Sequence, residues 1–317
     1  MRAALAAALL VGCLQSAVPG PTAVRATDTV SDASNSAAQR CFPAGVEPQA
    51  LLSPGAGAAA SALSAPSFAR GVGSNSTLAN SAAGSSTSSR DVVVRVHAHV
   101  LRTKTRGGVA RARIRSQVDV LNAAYAGRQS PFAATSPFRF RLASVDVTNR
   151  RTWSRLGEGT LAELQAKRSL HRGTSEDLNL YIAMMSTGVL GWGTQPTRYR
   201  EQPKMDGVVV RRSTLPGGHD GRHSGGDSAV HETGHWLGLL HTFAGGCGPH
   251  GDRVADTAPE AKPSYACRPQ RDTCSAPGRD PVHNFMDYGD DACMDRFTTG
   301  QVVRMRDSWQ RLRDRRA

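Results

Sequence analysis

The amino-acid sequence predicts an α+β protein in which an N-terminal part alternates strands and helices and a C-terminal part consists mostly of loops. The first observation is a series of β-branched or alternating segments, interleaved with segments of helical spacing, between residues 91 and about 245. The second is the high content of Gly, Pro, Cys and Asp in the residues that follow. With 317 residues, the chain is long enough to bury a substantial core.

The elements of the first part follow one another along the chain. A β-branched run over residues 92–101 predicts the first strand. Apolar residues at helical spacing predict a helix over about 111–126. Periodicity indicates four further elements: strands over 138–142, 178–184 and 208–210, and a short helix over 161–170.

One more helix is predicted at the end of the chain. Thr298 and Gln301 have the spacing of a capping box, in which each side chain accepts a backbone N–H of the other residue. Val302, Met305 and Trp309 then supply an apolar stripe. We therefore expect a helix that begins near Thr298.

The N-terminus has the pattern of an export signal. Arg2 precedes a short apolar run over residues 3–11, and Val24-Arg25-Ala26 places small residues at the offsets of a cleavage site. Leu10-Val11-Gly12-Cys13, however, resembles a bacterial lipobox. Two outcomes therefore stay open: secretion after removal of a signal peptide of residues 1–26, or a lipid anchor through Cys13 at the cell surface.

The composition excludes two classes of protein. No segment reaches the run of about 18 apolar residues that a transmembrane helix needs, which excludes an integral membrane protein. The formal net charge of +13 comes from scattered arginines, and only 5% of the residues are aromatic, so we expect no nucleic-acid partner. Residues 27–90 are rich in Ala, Ser and Gly and cannot bury a core, so we interpret them as a pro-segment and linker.

Five cysteines remain if Cys13 belongs to the export signal. Four of them cluster near the C-terminus, where an oxidising compartment favours two disulfides with three possible connectivities: Cys247, Cys267, Cys274 and Cys293. A four-cysteine zinc site is the alternative, but the spacings contain no CxxC pair. Cys41 is left without a partner.

A possible catalytic centre lies at residues 231–241. On a helix, His231 and His235 would stand one turn apart on one face, so both imidazoles could bind one Zn²⁺. Gly238 can take a positive φ and end the helix, which would bring His241 to the same ion. We expect Asp227 or Ser228 to cap the start of this helix, after a Gly-rich loop over 217–227.

Three protein ligands would leave the fourth zinc position open to water, as in catalytic and not structural zinc sites. Zinc lowers the pKa of such a water to about 7, and Glu232, next to the first ligand, could take its proton and pass it to the leaving amine. The alternative is a helix whose histidines only line the core. The additional Gly238 and His241 favour a zinc hydrolase.

The extended motif resembles that of the metzincin metalloproteases, whose signature includes a methionine turn beneath the metal. Asn284-Phe285-Met286-Asp287-Tyr288 matches that turn. The resemblance places Met286 under the zinc ligands without a bond to zinc. It also assigns Tyr288 as a hydrogen-bond donor to the oxyanion of the tetrahedral intermediate.

Further segments resemble the pappalysin family of metzincins in particular, over about residues 91–306. They are residues 117–122, 234–243, 245–247, 256–257 and 293–298. The resemblance implies a secreted zinc endopeptidase that acts on proteins or peptides, and we expect the protein to be a monomer. It further implies a zincin fold with a twisted mixed sheet, in which an N-terminal subdomain extends to about residue 241 and a loop-rich, disulfide-bonded subdomain covers 242–317.

The same resemblance implies bonds and ligands in the C-terminal subdomain. Carried onto matching positions, the family's disulfides pair Cys247 with Cys274 and Cys267 with Cys293. Relatives bind calcium in this region, and the oxygen-bearing residues there are Asp252, Asp256, Thr257 and Asp272.

Substrate preference in metzincins depends on the segment just after the methionine turn, which forms a wall of the S1′ pocket. Here this segment is acidic, and Asp291 matches a position associated with basic P1′ residues in microbial relatives. A carboxylate in the pocket would favour Arg or Lys there. The alternative is that these acids form loop salt bridges or cap the last helix.

Two further assignments follow from the resemblance. The segment 188–193 matches the edge strand that binds the substrate backbone in metzincins. Cys41 resembles a cysteine switch, whose thiolate would occupy the zinc until cleavage near Arg70 or Arg90 activates the enzyme.

A binding module that has lost catalysis is the alternative function. It is disfavoured because the three histidines, Glu232 and the methionine turn are all present.

Overall fold

The structure is a computed structural model that describes residues 91–315. The proposed signal peptide, Cys13, the pro-segment and Cys41 lie outside the described residues. Nine helices and strands make up the regular part of the described chain: β1 (Val92–Arg102), α1 (Arg111–Tyr125), β2 (Phe138–Asn149), α2 (Leu161–Leu170), β3 (Asp177–Ala183), β4 (Gly191–Gly193), β5 (Val208–Arg211), α3 (Asp227–Trp236) and α4 (Thr299–Leu312).

The strands form one mixed, five-stranded sheet in the order β2-β1-β3-β5-β4. Neighbouring strands run parallel except β4, which pairs antiparallel with β5 at one edge. Strand β2 is longer than the predicted 138–142, because it pairs with β1 along its whole length as far as Asn149. The edge strand β4 has only three residues.

The two faces of the sheet carry separate hydrophobic clusters. Val208 and Val210 face the larger cluster, in which α1, α3 and α4 also take part, whereas Val209 between them faces the smaller one with Trp192. Burial on both faces explains why β3 and β5 have nearly continuous apolar sequences. Helix α2 covers the smaller cluster through Ala166.

The C-terminal part consists of loops and the helix α4. Disulfides join Cys247 to Cys274 and Cys267 to Cys293, the same pairs that the family resemblance implies. Thr298 is the N-cap of α4, and both hydrogen bonds of its capping box with Gln301 are present, as predicted. None of the described helices is long and apolar enough to cross a bilayer.

Candidate active site

Helix α3 carries the histidine motif, but its start differs from the prediction. The N-cap is Gly226, at φ +106°, and no side chain on α3 caps it, so the prediction of Asp227 or Ser228 as the cap is wrong. Instead, Oδ2 of Asp291 accepts the backbone N–H groups of Gly225 and Gly226, at 2.6 and 3.0 Å. A distant carboxylate therefore holds the two residues just before the helix, whereas an N-cap side chain would accept N–H groups of the first turn.

The three predicted histidines meet at one point. Nε2 of His235 lies 3.1 Å from Nε2 of His231 and 3.1 Å from Nε2 of His241. All three side chains are buried. Gly238 has φ +100°, and the chain turns there after α3 ends at Trp236, so His241 reaches the other two from outside the helix, as the sequence predicts.

These histidines fit a zinc ion chemically. Nδ1 of His231 lies 2.6 Å from the carbonyl oxygen of Phe285, and Nδ1 of His235 lies 2.9 Å from that of Leu239. Such bonds orient the rings and leave Nε2 as the metal-binding atom. Burial and the neighbouring imidazoles hold the pKa of His231 and of His241 well below the ordinary value, which keeps both rings in the neutral form that binds metal.

Glu232 lies next to the histidines and against the edge strand. Its side chain is fully buried. A Cβ atom on Gly191 would lie 2.9 Å from Cγ and 3.1 Å from Oε1 of Glu232, and one on Gly193 would lie within 2.5 Å of its carbonyl oxygen. Only glycines therefore allow β4 to pack this closely on α3.

We expect Gly193→Ala to separate β4 from α3 and to lower stability by roughly 1–3 kcal/mol, because the added methyl group would overlap a backbone oxygen that cannot move alone. Proteolytic activity should fall as well, since β4 lies beside Glu232. Denaturant unfolding and peptide hydrolysis measure the two effects. Gly108→Ala, at an exposed glycine, is the control and should change neither. A Gly193→Ala protein with the stability of the wild type would contradict the close packing.

The methionine turn lies beneath the histidines. Met286 is fully buried, and a Cβ atom on Gly234 would lie within 2.5 Å of its Sδ atom, so its side chain packs directly against α3 between the two helical histidines. Asn284 accepts the N–H of Met286 and forms two hydrogen bonds with the amide of Gln301, at 2.8 and 3.0 Å. Gln301, the second residue of the α4 capping box, thus also holds the methionine turn in place.

Tyr288 stands beside the histidine cluster. Its ring centroid lies 5.0 Å from that of His241 and 5.9 Å from that of His231, and its side chain is half-buried. The ring therefore borders the site from the side of the methionine turn.

A cleft with about 300 Å³ of empty space adjoins His231. Its lining includes Leu190, His223, Ser228, Tyr288, Asp291 and Met294. Oδ1 of Asp291 is buried and makes no hydrogen bond among the described residues, but it lies 3.8 Å from Nδ1 of His223. Oδ2 of the same group accepts the backbone N–H groups just before α3. Sequence reasoning missed His223 in this lining, because it interpreted residues 217–227 only as a Gly-rich loop that leads into α3.

The four residues assigned to calcium have different surroundings. The buried side chains of Asp252 and Thr257 lie beside each other, and their interaction partly offsets the burial that raises the pKa of Asp252 to about 6. Asp256 instead uses both carboxylate oxygens at the start of α4, where it accepts from Thr298 and Gly300. Asp272 is exposed.

A buried ionic network supports the loop that carries His241, and sequence reasoning missed it. Arg271 donates to Glu260 and Asp280, and Glu260 also accepts the hydroxyl of Thr242, which follows His241. Burial is the main reason that the pKa of Glu260 rises to about 8. No local spacing marks these residues as partners, because each contact joins separate loops.

Comparison with known proteins gives concordant results. The family model Peptidase_M43, described as pregnancy-associated plasma protein-A, matches residues 220–310. An extracellular metalloprotease of Colletotrichum graminicola is 41% identical over 239 residues, which cover 73% of this chain and 81% of that protein.

Two solved structures from Tannerella forsythia are similar to this chain, each at 26% identity. Mature mirolysin in complex with a cleaved peptide has a TM-score of 0.59, and the alignment covers 69% of this chain and 91% of that one. A mutant of promirolysin has a TM-score of 0.62, with 70% and 82% covered.

Proposed function

Since this chain belongs to the Peptidase_M43, or pappalysin, family of extracellular metalloproteases, we propose that it is a secreted zinc endopeptidase that cleaves before Arg or Lys. The convergence of three imidazole Nε2 atoms, with the carboxylate of Glu232 on the adjacent residue of the same helix, carries this proposal. The relatives' description as extracellular and the sequence pattern of residues 1–26 support secretion.

The chemistry follows from the positions of the side chains. A zinc ion held by His231, His235 and His241 would polarise the scissile carbonyl and lower the pKa of a water molecule at the site. Glu232 accepts the proton of that water as its oxygen attacks the carbonyl carbon, and then delivers the proton to the amine nitrogen as the C–N bond breaks. We assign to Tyr288 the donation of a hydrogen bond to the developing oxyanion, which the 5.0 Å distance between its ring and that of His241 supports.

The edge strand β4 is where we place the substrate backbone. It pairs with β5 on one side only, and its glycines lie against Glu232 and His235. An extended peptide added to the free edge would form a further strand of the sheet, with its scissile bond next to the histidines. The complex of mature mirolysin with a cleaved peptide supports peptide binding in a site of this kind.

Specificity for a basic P1′ side chain is proposed to come from Asp291. Asp291 lines the cleft beside His231, its Oδ1 atom makes no hydrogen bond among the described residues, and its other oxygen is held by two backbone N–H groups. The carboxylate is thus fixed in direction before any substrate arrives. A guanidinium or ammonium group in the cleft would supply the missing hydrogen bond and a permanent positive charge, whereas His223, 3.8 Å from Oδ1, is charged only when protonated.

A peptide library digested by the purified protein, with and without a zinc chelator, tests this proposal. We expect cuts that disappear with the chelator, return with added zinc, and fall before Arg or Lys. Asp291→Asn should reduce the preference for basic over neutral P1′ residues roughly 10- to 100-fold, the value of a hydrogen bond to a charged group. Asp290→Asn is the matched control, because Asp290 pairs with the half-exposed Arg222.

The possible results separate the parts of the proposal. Cuts that persist in the chelator would refute the zinc mechanism. Chelator-sensitive cuts without a basic preference, or an unchanged preference in Asp291→Asn, would refute only the role of Asp291. A zinc-loaded, folded protein that cuts no peptide would favour the binding module.

We further propose a calcium site and latency. The buried, neighbouring oxygens of Asp252 and Thr257 support a structural calcium ion, whereas Asp256 and Asp272 remain assigned to it by the family resemblance alone. Cys41 as a switch over the zinc rests on the family resemblance, and the existence of a pro-form of mirolysin supports a latent form here.

A further inference from the structure

The edge strand β4 is held between two different surfaces. On one face, Gly191 and Gly193 lie against Glu232 and His235 of α3. On the other face, the side chain of Trp192 is buried in the smaller hydrophobic cluster, next to α2. Because the strand has only three residues, the contacts of Trp192 determine the position and orientation of β4 relative to α3.

A carboxylate within α2 holds Trp192. Oε1 of Glu163 accepts the indole N–H of Trp192 at 2.6 Å, and Oε2 accepts the backbone N–H of Gly159 at 2.8 Å. The Glu163 side chain is only 4% exposed. A buried carboxylate with a strong hydrogen bond on each oxygen has a single orientation, and it transmits that orientation to the indole ring.

Lys167 completes the anchor one helical turn later. Its Nζ atom lies 2.9 Å from Oε1 of Glu163, and its side chain is 2% exposed. Nζ also donates to the carbonyl oxygen of Met205 at 3.0 Å, and the hydroxyl of Thr194, which directly follows β4, donates to the same oxygen at 2.9 Å. The pair therefore acts on Trp192 in the strand and on the residue after it.

From these contacts we propose that Glu163, together with Lys167, is a positioning residue for proteolysis. It fixes the position of β4 so that the scissile bond of a bound peptide lies next to Glu232. A buried ion pair is weak evidence for stability, because apolar residues of similar volume often stabilise a protein equally well. What the pair does provide is a fixed orientation, since the middle residue of β4 is hydrogen-bonded to Glu163 and the residue after β4 shares the carbonyl oxygen of Met205 with Lys167. The inference rests on the proposed function in taking β4 as the strand that receives the substrate.

The effect depends on the length of the substrate. A peptide that extends along β4 uses the position of the whole strand, whereas a short peptide that reaches only the residues next to the scissile bond depends on it less. Misplacement by about 1 Å can cost about 100-fold in rate. Loss of the anchor should therefore lower kcat/KM for long peptides more than for short ones, mainly through KM.

The test uses the zinc-loaded enzyme that is obtained by expressing the full chain and allowing its processing. The double variant Glu163→Leu/Lys167→Met removes both charges together and leaves neither one buried alone. Trp192→Phe keeps a ring in the cluster and removes only the indole donor, so it tests the same contact if the double variant does not fold. Leu161→Ala, at a side chain 67% exposed on α2, is the control.

We expect a 10- to 100-fold loss of kcat/KM for a long peptide in both anchor variants, a loss of less than about threefold for a short one, and unchanged zinc content. Wild-type kinetics in a folded anchor variant would overturn the inference. It would also be overturned if kcat/KM fell equally for the long and the short peptide and the variant had lost thermal stability. A wild-type protein with no chelator-sensitive cleavage would instead refute the proposed function.

Discussion

Replacing Glu232 by Gln should lower the turnover of a peptide substrate by about 100- to 10,000-fold, the usual contribution of a general acid–base group. Glutamine has nearly the same shape, so the buried side chain keeps its place between α3 and β4. An amide, however, cannot accept the proton of the attacking water or return one to the leaving amine. The loss should appear in kcat, because β4, where we propose that the substrate binds, is unchanged.

Two measurements accompany the kinetics. Zinc content should stay at the wild-type value, since the three imidazole Nε2 atoms do not depend on this carboxylate. Thermal unfolding should change little. Glu201→Gln, at an exposed glutamate, is the matched control and should keep full activity. Unchanged turnover in Glu232→Gln with zinc bound would show that another group moves the proton.

Replacing Arg313 by Met should lower the free energy of unfolding by about 3–5 kcal/mol, the cost of leaving one charge of a buried pair alone. Arg313 and Asp206 are both fully buried and form two hydrogen bonds, at 2.9 and 3.1 Å. Arg313 also donates to the carbonyl oxygens of Trp236 and Ser175. It thus joins the end of α4 to the end of α3 and to the loop before β3.

Denaturant unfolding of the zinc-loaded protein measures this effect. Arg311→Met is the matched control on the same helix, because Arg311 is 69% exposed and lies 4.0 Å from Asp307. Its unfolding free energy should stay within about 0.5 kcal/mol of the wild type. Similar stabilities for the two variants would mean that the buried contacts of Arg313 contribute no more than a surface ion pair.

Local spacing in the sequence was enough to predict several parts of this protein. The helix with His231 and His235, the turn at Gly238 and the capping box of Thr298 all depend on residues within about one or two turns of one another. The backbone geometry of a helix then determines which side chains share a face. In the same way, four of the five strands could be located from their apolar patterns, which are also local in the sequence.

Other features required the family resemblance or the tertiary structure. The four cysteines allow three pairings on spacing alone, and the structure contains the one that the resemblance implies. The predicted cap of α3 is wrong: the N-cap is Gly226, and the N–H groups of Gly225 and Gly226 are held by Asp291, more than sixty residues later. The tertiary structure also shows that Asp256, which the resemblance assigns to calcium, accepts hydrogen bonds at the start of α4.

The sequence by itself therefore determined the chemistry of this protein: three imidazoles, a neighbouring carboxylate and a methionine turn, in a chain of strands and helices. Only the tertiary structure determined which contacts hold these groups in place and orient them. Glu163 reaches Trp192, and Arg313 reaches Asp206, across long stretches of chain. Such pairs form because folding removes both groups from water and each must find a partner, and no periodicity along the chain encodes which partner that is.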